Sequence, residues 1–374
     1  MIDITRLQQD FTNRFRRQPR IFRAPARVNL IGEHTDYNQG FVMPFAIDKA
    51  VYVAAAPRED GRFTAASADF AEILDVSQAD LDRESTAKDW TKYPYGVLSL
   101  IHRAGPALGG ADLLITSDIP SGAGLSSSAA LEVGIATALT KLFDLDLTDV
   151  EIAKLGQAAE NEFAGVNSGI MDQMASVLGK AGHALFLDCR SLEWQHIPLG
   201  RASFLISDTR TKHSLAESEY NTRRAECEAA AAALGKSSLR DADLEEIASL
   251  PELLAKRAGH VVTENLRVLT AVEALRAADL ATVGELMDAS HASLRDDFEV
   301  STRELDVMAE ICRSQPEILG SRMMGGGFGG CTISICREYA AKDLAERIAS
   351  EYTRETGTEP SIFPCTATPG ASEV

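Results

Sequence analysis

From Phe22 to Pro57 the chain reads as strands broken by one polar turn. The apolar "VNLI" gives way to charged residues and then to "GFVMPFAI" and "KAVYVAAA", segments suited to a pleated surface. A further apolar run, "ADLLITSDI", predicts another strand and leads straight into "PSGAGLSSSAA". "ALEVGIATALTKLF" is apolar nearly all round, the pattern of a buried helix. In "TDVEIAKLGQAAENEFAG", Ile152, Leu155, Ala159 and Phe163 form one helical stripe, with Glu160 beside it on the polar face. "GIMDQMASVLG" predicts a helix entered through Ser168 and Gly169.

The second half is helical in tone. "HALFLDC" and "SFLISDT" predict short strands, and the change of lobe is placed there, dividing the chain into residues 1–200 and 201–374. "ESEYNTRRAECEAAAAALG" is rich in helix formers and stops at Gly235, a natural C-cap. More helix follows from Pro251, then "SRMMGGGFGGCTISIC", a last helix in "AAKDLAERIASEYTRET" and a last strand in "PSIFPC". The closing "TATPGASEV" has no pattern and is expected to fray. Helices and strands interleave in both halves, so the class is α/β or α+β.

Composition narrows the function. The chain has 374 residues, 45% hydrophobic and 25% charged, a globular mixture too long for one ordinary core. A net charge of −18 would repel a phosphate backbone over most of the surface, which excludes a nucleic-acid partner. It does not exclude a nucleotide, which needs one local electropositive pocket. The N-terminal "MIDITRLQQDFTNRFRRQPR" reads as an amphipathic surface helix without the apolar core of a secretory signal. No apolar run approaches the roughly 20 residues of a membrane span. Six cysteines without a CxxC and seven unclustered histidines fit neither a disulfide framework nor a zinc site, so reduced thiols in a cytoplasmic protein are expected.

Three stretches carry candidate chemistry. The turn after "VNLI" crowds Arg27, Asn29, Glu33, His34, Asp36 and Tyr37 into one short run. In "PSGAGLSSSAALE", Gly122 and Gly124 let backbone N–H groups converge ahead of a helix N-terminus, an arrangement that suits phosphate. The same residues could make a plain strand-to-helix turn with a serine N-cap. "MMGGGFGGCTISIC" contains G-x-G-x-x-G at Gly325, Gly327 and Gly330, but a strand follows it where the dinucleotide fingerprint needs a helix. That leaves a glycine turn lying against something flat or charged, or a mere hairpin. "LGKSS" lacks the first glycine of a P-loop, and the protein-kinase motifs are missing.

Together the three stretches resemble the three motifs of the GHMP small-molecule kinases, and within that superfamily the galactokinase family. "ARVNLIGEHTDYNQG" is similar to its signature, "PSGAGLSSSAALE" to its phosphate loop and "MMGGGFGGCTISI" to its third motif. "DWTKYPYGV", "AENEFAGVNSGIMDQMAS", "KHSLAESEYNTRRAECE" and "SLRDDFEVS" follow in the expected order. Two positions depart from the pattern: Ala26 stands where glycine is usual and Ser168 where cysteine is common.

The resemblance implies a two-lobed fold, with a ribosomal-S5-like N-terminal lobe, a ferredoxin-like C-terminal lobe and the active site in the cleft. It implies ATP-dependent phosphorylation of galactose at the anomeric hydroxyl by a cytoplasmic monomer that meets small molecules and no membrane. Glu33, His34, Thr35, Asp36, Gly169 and Tyr220 would bind the sugar; Asp172 would act as general base with Arg27 as its partner. Gly122, Ala123, Gly124, Leu125, Ser126, Ser127 and Ser128 would hold the ATP phosphates, Trp90 and Tyr93 would flank the adenine, and Ser128 with Glu160 would bind magnesium. A kinase for a related sugar such as N-acetylgalactosamine, or a silent galactose and ATP sensor, are the alternatives.

Overall fold

The computed structural model describes residues 2–81, 87–105, 108–120, 122–212, 216–337 and 341–374. The first half contains helix α1 (Ile4–Phe15), strand β1 (Arg20–Asn29), the short β2 (Phe41–Val42) and the long β3 (Pro44–Pro57). After β4 (Arg62–Ser67) and β5 (Ile73–Ser77) come α2 (Lys92–Arg103) and β6 (Ala111–Ser117). Helices α3 (Ser127–Leu142), α4 (Asp149–Ala159) and α5 (Met171–Leu178) lead to strands β7 (His183–Asp188), β8 (Trp194–Pro198) and β9 (Ser203–Lys212). The second half holds α6 (Ala216–Ala233), α7 (Leu244–Ile247), α8 (Glu252–Arg276), α9 (Leu280–Asp296) and α10 (Arg303–Ser314). Strands β10 (Ile318–Met323) and β11 (Gly329–Cys336), helix α11 (Ala341–Thr356) and strands β12 (Ser361–Cys365) and β13 (Ser372–Glu373) complete it.

The described strands form three sheets. The largest runs β13-β1-β3-β6-β4-β5, with β4 and β6 its one parallel pair among the described strands. The second, β10-β11-β9-β12, is antiparallel, and β2-β7-β8 forms a small third sheet. "GFVMPFAI" and "KAVYVAAA", read as separate strands, are largely one: β3 continues from Pro44 through Pro57. Helix α3 lies in the core as its all-round apolar pattern predicts, with every residue from Ala129 to Thr140 buried. One cluster of buried side chains joins β1, β3, α3 and α5 to the inner face of the second sheet, where Phe45 and Phe204 meet at 4.8 Å.

Two expectations need correcting. The tail does not fray: Ser372–Glu373 pairs with β1, and Arg20 makes two hydrogen bonds to Glu373 at 2.8 and 2.7 Å. Thr368, Gly370 and Ala371 donate their backbone N–H groups to Ala46, Gly179 and Ser176. These partners satisfy the tail's backbone more fully than water-facing patterning suggests. The stripe read from α4 through Phe163 is not one regular helix either. It opens into a π-turn at Glu160–Ala164, and Glu160 is buried rather than on a polar face. Among the described residues no helix is long and apolar enough to cross a membrane.

Candidate active site

Arg27 owes its aim to a flaw in β1. Pro25 offers no N–H to the ladder, and the β1–β3 register shifts between Pro25 and Arg27, a bulge of the kind that re-directs a side chain. Ser176 of α5 donates to the Pro25 carbonyl at 2.8 Å and ties the two elements together. Arg27 then meets Asp172, in the first turn of α5, through a fork: Nε–Oδ1 is 2.6 Å and Nη2–Oδ2 is 2.9 Å. Its Nη1 donates to Gly124 O at 2.8 Å. Burial alone would favour the neutral guanidine, but the Asp172 charge and hydrogen bonds outweigh it and raise the Arg27 pKa. Such a pair is strong because it is bidentate and charge-assisted.

The phosphate-loop stretch is shaped by positive φ at Gly122 and Gly124. Ser126, the residue before α3, is not the N-cap that a simple turn would need. It sits in the left-handed region, and its hydroxyl bonds Asp172 Oδ2 instead of the helix backbone. Among the described residues no side chain caps the first N–H groups of α3, an arrangement that suits an anion there. Ser128 donates to Glu160 Oε1 at 2.7 Å, and Ser168, at the position where cysteine is common, donates to Glu160 Oε2 at 2.7 Å. Burial pushes the Glu160 carboxyl up, partly offset by these serines.

The polar turn between β1 and β2 is held largely by the second half of the chain. Glu264 accepts from Gly32 N at 2.9 Å, His260 Nε2 lies 3.1 Å from Glu33 O, and Asn265 accepts from Phe41 N at 2.8 Å. Glu33 Oε1 accepts from Gly325 N at 2.8 Å, so the third motif reaches the first. It does so as the tip of the β10–β11 hairpin, and a Cβ at Gly325 would lie 3.3 Å from Gly124 O. The glycines thus let the hairpin press on the phosphate-loop backbone. His34 has Nδ1 2.8 Å from the Tyr37 hydroxyl, while its buried Nε2, near the Gly326 backbone, makes no well-aligned hydrogen bond among the described residues. Burial, with His260 close by, holds the His34 ring neutral by lowering its pKa to about 3. Asp36 packs so closely on Gly169 that a Cβ there would fall 1.9 Å from Asp36 Oδ2.

These groups line one cavity of about 420 Å³, which brings together Arg27, Glu33, His34, Asp36, Gly122, Gly124, Ser126, Ser127, Ser128, Glu160, Gly169, Asp172 and Tyr220. Trp90 and Tyr93 line an adjoining, more apolar cavity of about 180 Å³ that shares Ser127 and Ser128 with the first. Of the residues expected to bind sugar or phosphate, Thr35, Ala123 and Leu125 line neither cavity. Thr35 is buried, its hydroxyl bonded to Gly32 O and Phe41 O, and the Ala123 and Leu125 side chains are buried too. Ser121 and His213 to Leu215 of the motifs lie outside the described residues. Phe70, which no sequence signal marked, stacks on Trp90 at 6.4 Å, and Gln173 bridges Glu160 to a buried Glu132 at 3.0 and 3.1 Å.

Comparison with known proteins follows the same three stretches. The galactokinase galactose-binding signature matches residues 9–57, and the N-terminal and C-terminal GHMP kinase models match 92–180 and 271–354. A galactokinase of Roseiflexus sp. (strain RS-1) is 44% identical over all of this chain and 98% of its own length. The chain belongs to the galactokinase family. Membership makes it a phosphotransferase with ATP as co-substrate. A galactokinase of Actinobacillus succinogenes is 42% identical, covering 98% of each chain. The crystal structure of Lactococcus lactis galactokinase complexed with galactose superposes with a TM-score of 0.95 at 35% identity, over 99% of this chain and 100% of that one. Methanococcus jannaschii mevalonate kinase, at 20% identity and a TM-score of 0.65 over 94% and 99% of the two chains, shares the fold.

Proposed function

We propose that the chain transfers the γ-phosphoryl group of ATP to the anomeric hydroxyl of α-D-galactose, giving galactose 1-phosphate and ADP. The observation that carries this reading is the position of Asp172. Its carboxylate is bonded to Arg27 and Ser126, in the same cavity as the sugar-type groups Glu33, His34 and Asp36 and the phosphate loop. A hexose needs both donors and acceptors around it. Glu33 and Asp36 accept from its hydroxyls, the Nε2 of neutral His34 bonds another, and Tyr220 and the Gly169 backbone close the pocket.

Asp172 takes the proton of the anomeric hydroxyl as that oxygen bonds the γ-phosphorus. The bond from phosphorus to the β-phosphate oxygen breaks, and ADP leaves with its electron pair. Arg27 and the N–H groups at the start of α3 stabilise the charge on the transferring group, the main demand of a loose phosphoryl transfer. Ser128 and Glu160 offer a hydroxyl and a carboxylate 2.7 Å apart, hard oxygen donors that suit magnesium. Bound there with nucleotide, magnesium would neutralise phosphate charge. Trp90 and Tyr93 take the adenine.

Six free cysteines support a reducing, cytoplasmic setting, and a monomer completes the proposal. The test is ADP release over a panel of hexoses, with and without magnesium, for the wild type and Asp172→Asn. We expect turnover with galactose that requires the metal and falls about 100-fold or more in the variant. Preference for the 2-acetamido analogue, or near-normal turnover by Asp172→Asn, would overturn the reading.

A further inference from the structure

Arg322 on β10 is fully buried, three positions before the glycine that bonds Glu33. Its Nη1 donates to Asn29 O at 3.0 Å and Leu30 O at 3.3 Å, the last residues before the polar turn. Its Nη2 lies 3.3 Å from Glu33 Oε1, and neither Nε nor Nη2 makes a hydrogen bond among the described residues. Two other carboxylates nearby already have a cation of their own. Glu264 faces Arg267 at 2.6 Å and Asp172 faces Arg27 at 2.6 Å, which leaves Arg322 as the counter-charge to Glu33. As a stabiliser such a group is a poor choice, because desolvating a guanidinium with incomplete hydrogen bonding costs more than an apolar side chain would. What only a cation there supplies is a charge behind one oxygen of Glu33. Gly325 N–H and Arg322 both fall on Oε1, the Asn29 side chain also stabilises the carboxylate, and Oε2 is the oxygen that neither Gly325 nor Arg322 engages.

We propose that Arg322 is a positioning residue for the sugar: it fixes the Glu33 carboxylate through Oε1 and so presents the other oxygen to a hexose hydroxyl. The inference rests on the reading of Glu33 as a sugar-binding group. Through the same contacts Arg322 links β10, and with it the glycine hairpin, to the turn that grips the sugar. Arg322 itself touches the polar turn and not the phosphate loop, so the effect of losing it falls mainly on sugar affinity rather than on ATP.

The experiment measures galactose binding by calorimetry, and KM for galactose and for ATP. It compares wild type, Arg322→Lys, Arg322→Gln, Glu33→Gln and the Glu33→Gln/Arg322→Gln double variant. Arg322→Gln should weaken galactose about tenfold or more with the ATP KM changed less than about twofold. Arg322→Lys should recover part of that loss, and the double variant should bind galactose no more weakly than Glu33→Gln alone. Equal weakening of both substrates, additive losses in the double variant, or wild-type galactose affinity in folded Arg322→Gln would each overturn the proposal. Should Arg322→Gln not fold, Arg322→Lys decides: a several-fold loss confined to galactose supports the role, and wild-type affinity sinks it. A wild type that binds no hexose would fail the functional reading and take this inference with it. A wild type that binds normally beside unaffected variants would fail the inference alone.

Discussion

Asp36 is the residue at which function and stability pull apart. Burial, reinforced by the charge of Asp172, pushes its carboxyl up to about 7 from a starting value of 3.8. The folded chain therefore holds a proton at Asp36 more tightly than the unfolded chain does. This group's contribution is fully present below about pH 4 and is lost as pH rises through about 7. Asp36→Asn removes that loss. We expect its melting temperature, measured against wild type across pH, to gain most near pH 8 and least near pH 4, while its galactose KM rises about tenfold or more. A constant offset across pH would contradict this. In the sequence Asp36 has the look of an ordinary turn acid, because what makes it unusual is supplied from afar. Gly169 admits its carboxylate at van der Waals range, and Asp172 lies on a different element. Glu160 shows the same limit: its neighbours in sequence mark it as a surface acid, yet Ser128, Ser168 and Gln173 enclose it. Arg27, Glu33, His34, Asp36 and Asp172 were all singled out through motifs that resemble the family's, and the structure brings them to one cavity.

At the level of elements, patterning served well wherever one face or the whole surface of an element decides its place. The buried character of α3, the amphipathic α1 and the strand after the third glycine stretch all followed from periodicity. It served badly where the backbone finds its partners far along the chain. The last nine residues are polar and small, and nothing in them announces that they lie along β1 and under α5. Gly370 is the closest point of that docking: a Cβ there would sit 2.0 Å from Val177 O, at the end of the helix that carries Asp172. Gly370→Ala must push the tail away or shift α5. We expect a destabilisation of about 1–3 kcal/mol, read from the urea midpoint, with kcat falling as Asp172 is displaced. An unchanged midpoint would show that the tail is dispensable.

For the whole molecule, the cavity is a meeting of elements brought together from distant parts of the chain. Among the described residues buried polar atoms such as His34 Nε2 make no well-aligned hydrogen bond, which is costly unless a ligand completes it. A hexose that binds the folded chain and not the unfolded one must then raise the unfolding free energy, by about 2.7 kcal/mol at 100 times its Kd. Differential scanning with galactose should show a rising melting temperature that tracks occupancy, and glucose at the same concentration should give a smaller rise. Equal shifts from both sugars would mean that the pocket does not read the axial hydroxyl.

The turn that carries Glu33 is completed by Glu264 and by Gly325, whose bonds to it span 232 and 292 residues of chain. Loop closure over such separations comes late in folding, since the entropy must be given up before the contact rewards it. A nascent chain still lacking its glycine hairpin would hold nearly every side chain proposed for catalysis and yet have no finished cavity around Glu33. Turnover is then a sign that distant parts of the polypeptide have already found each other, and half-made molecules are kept from competing for the sugar.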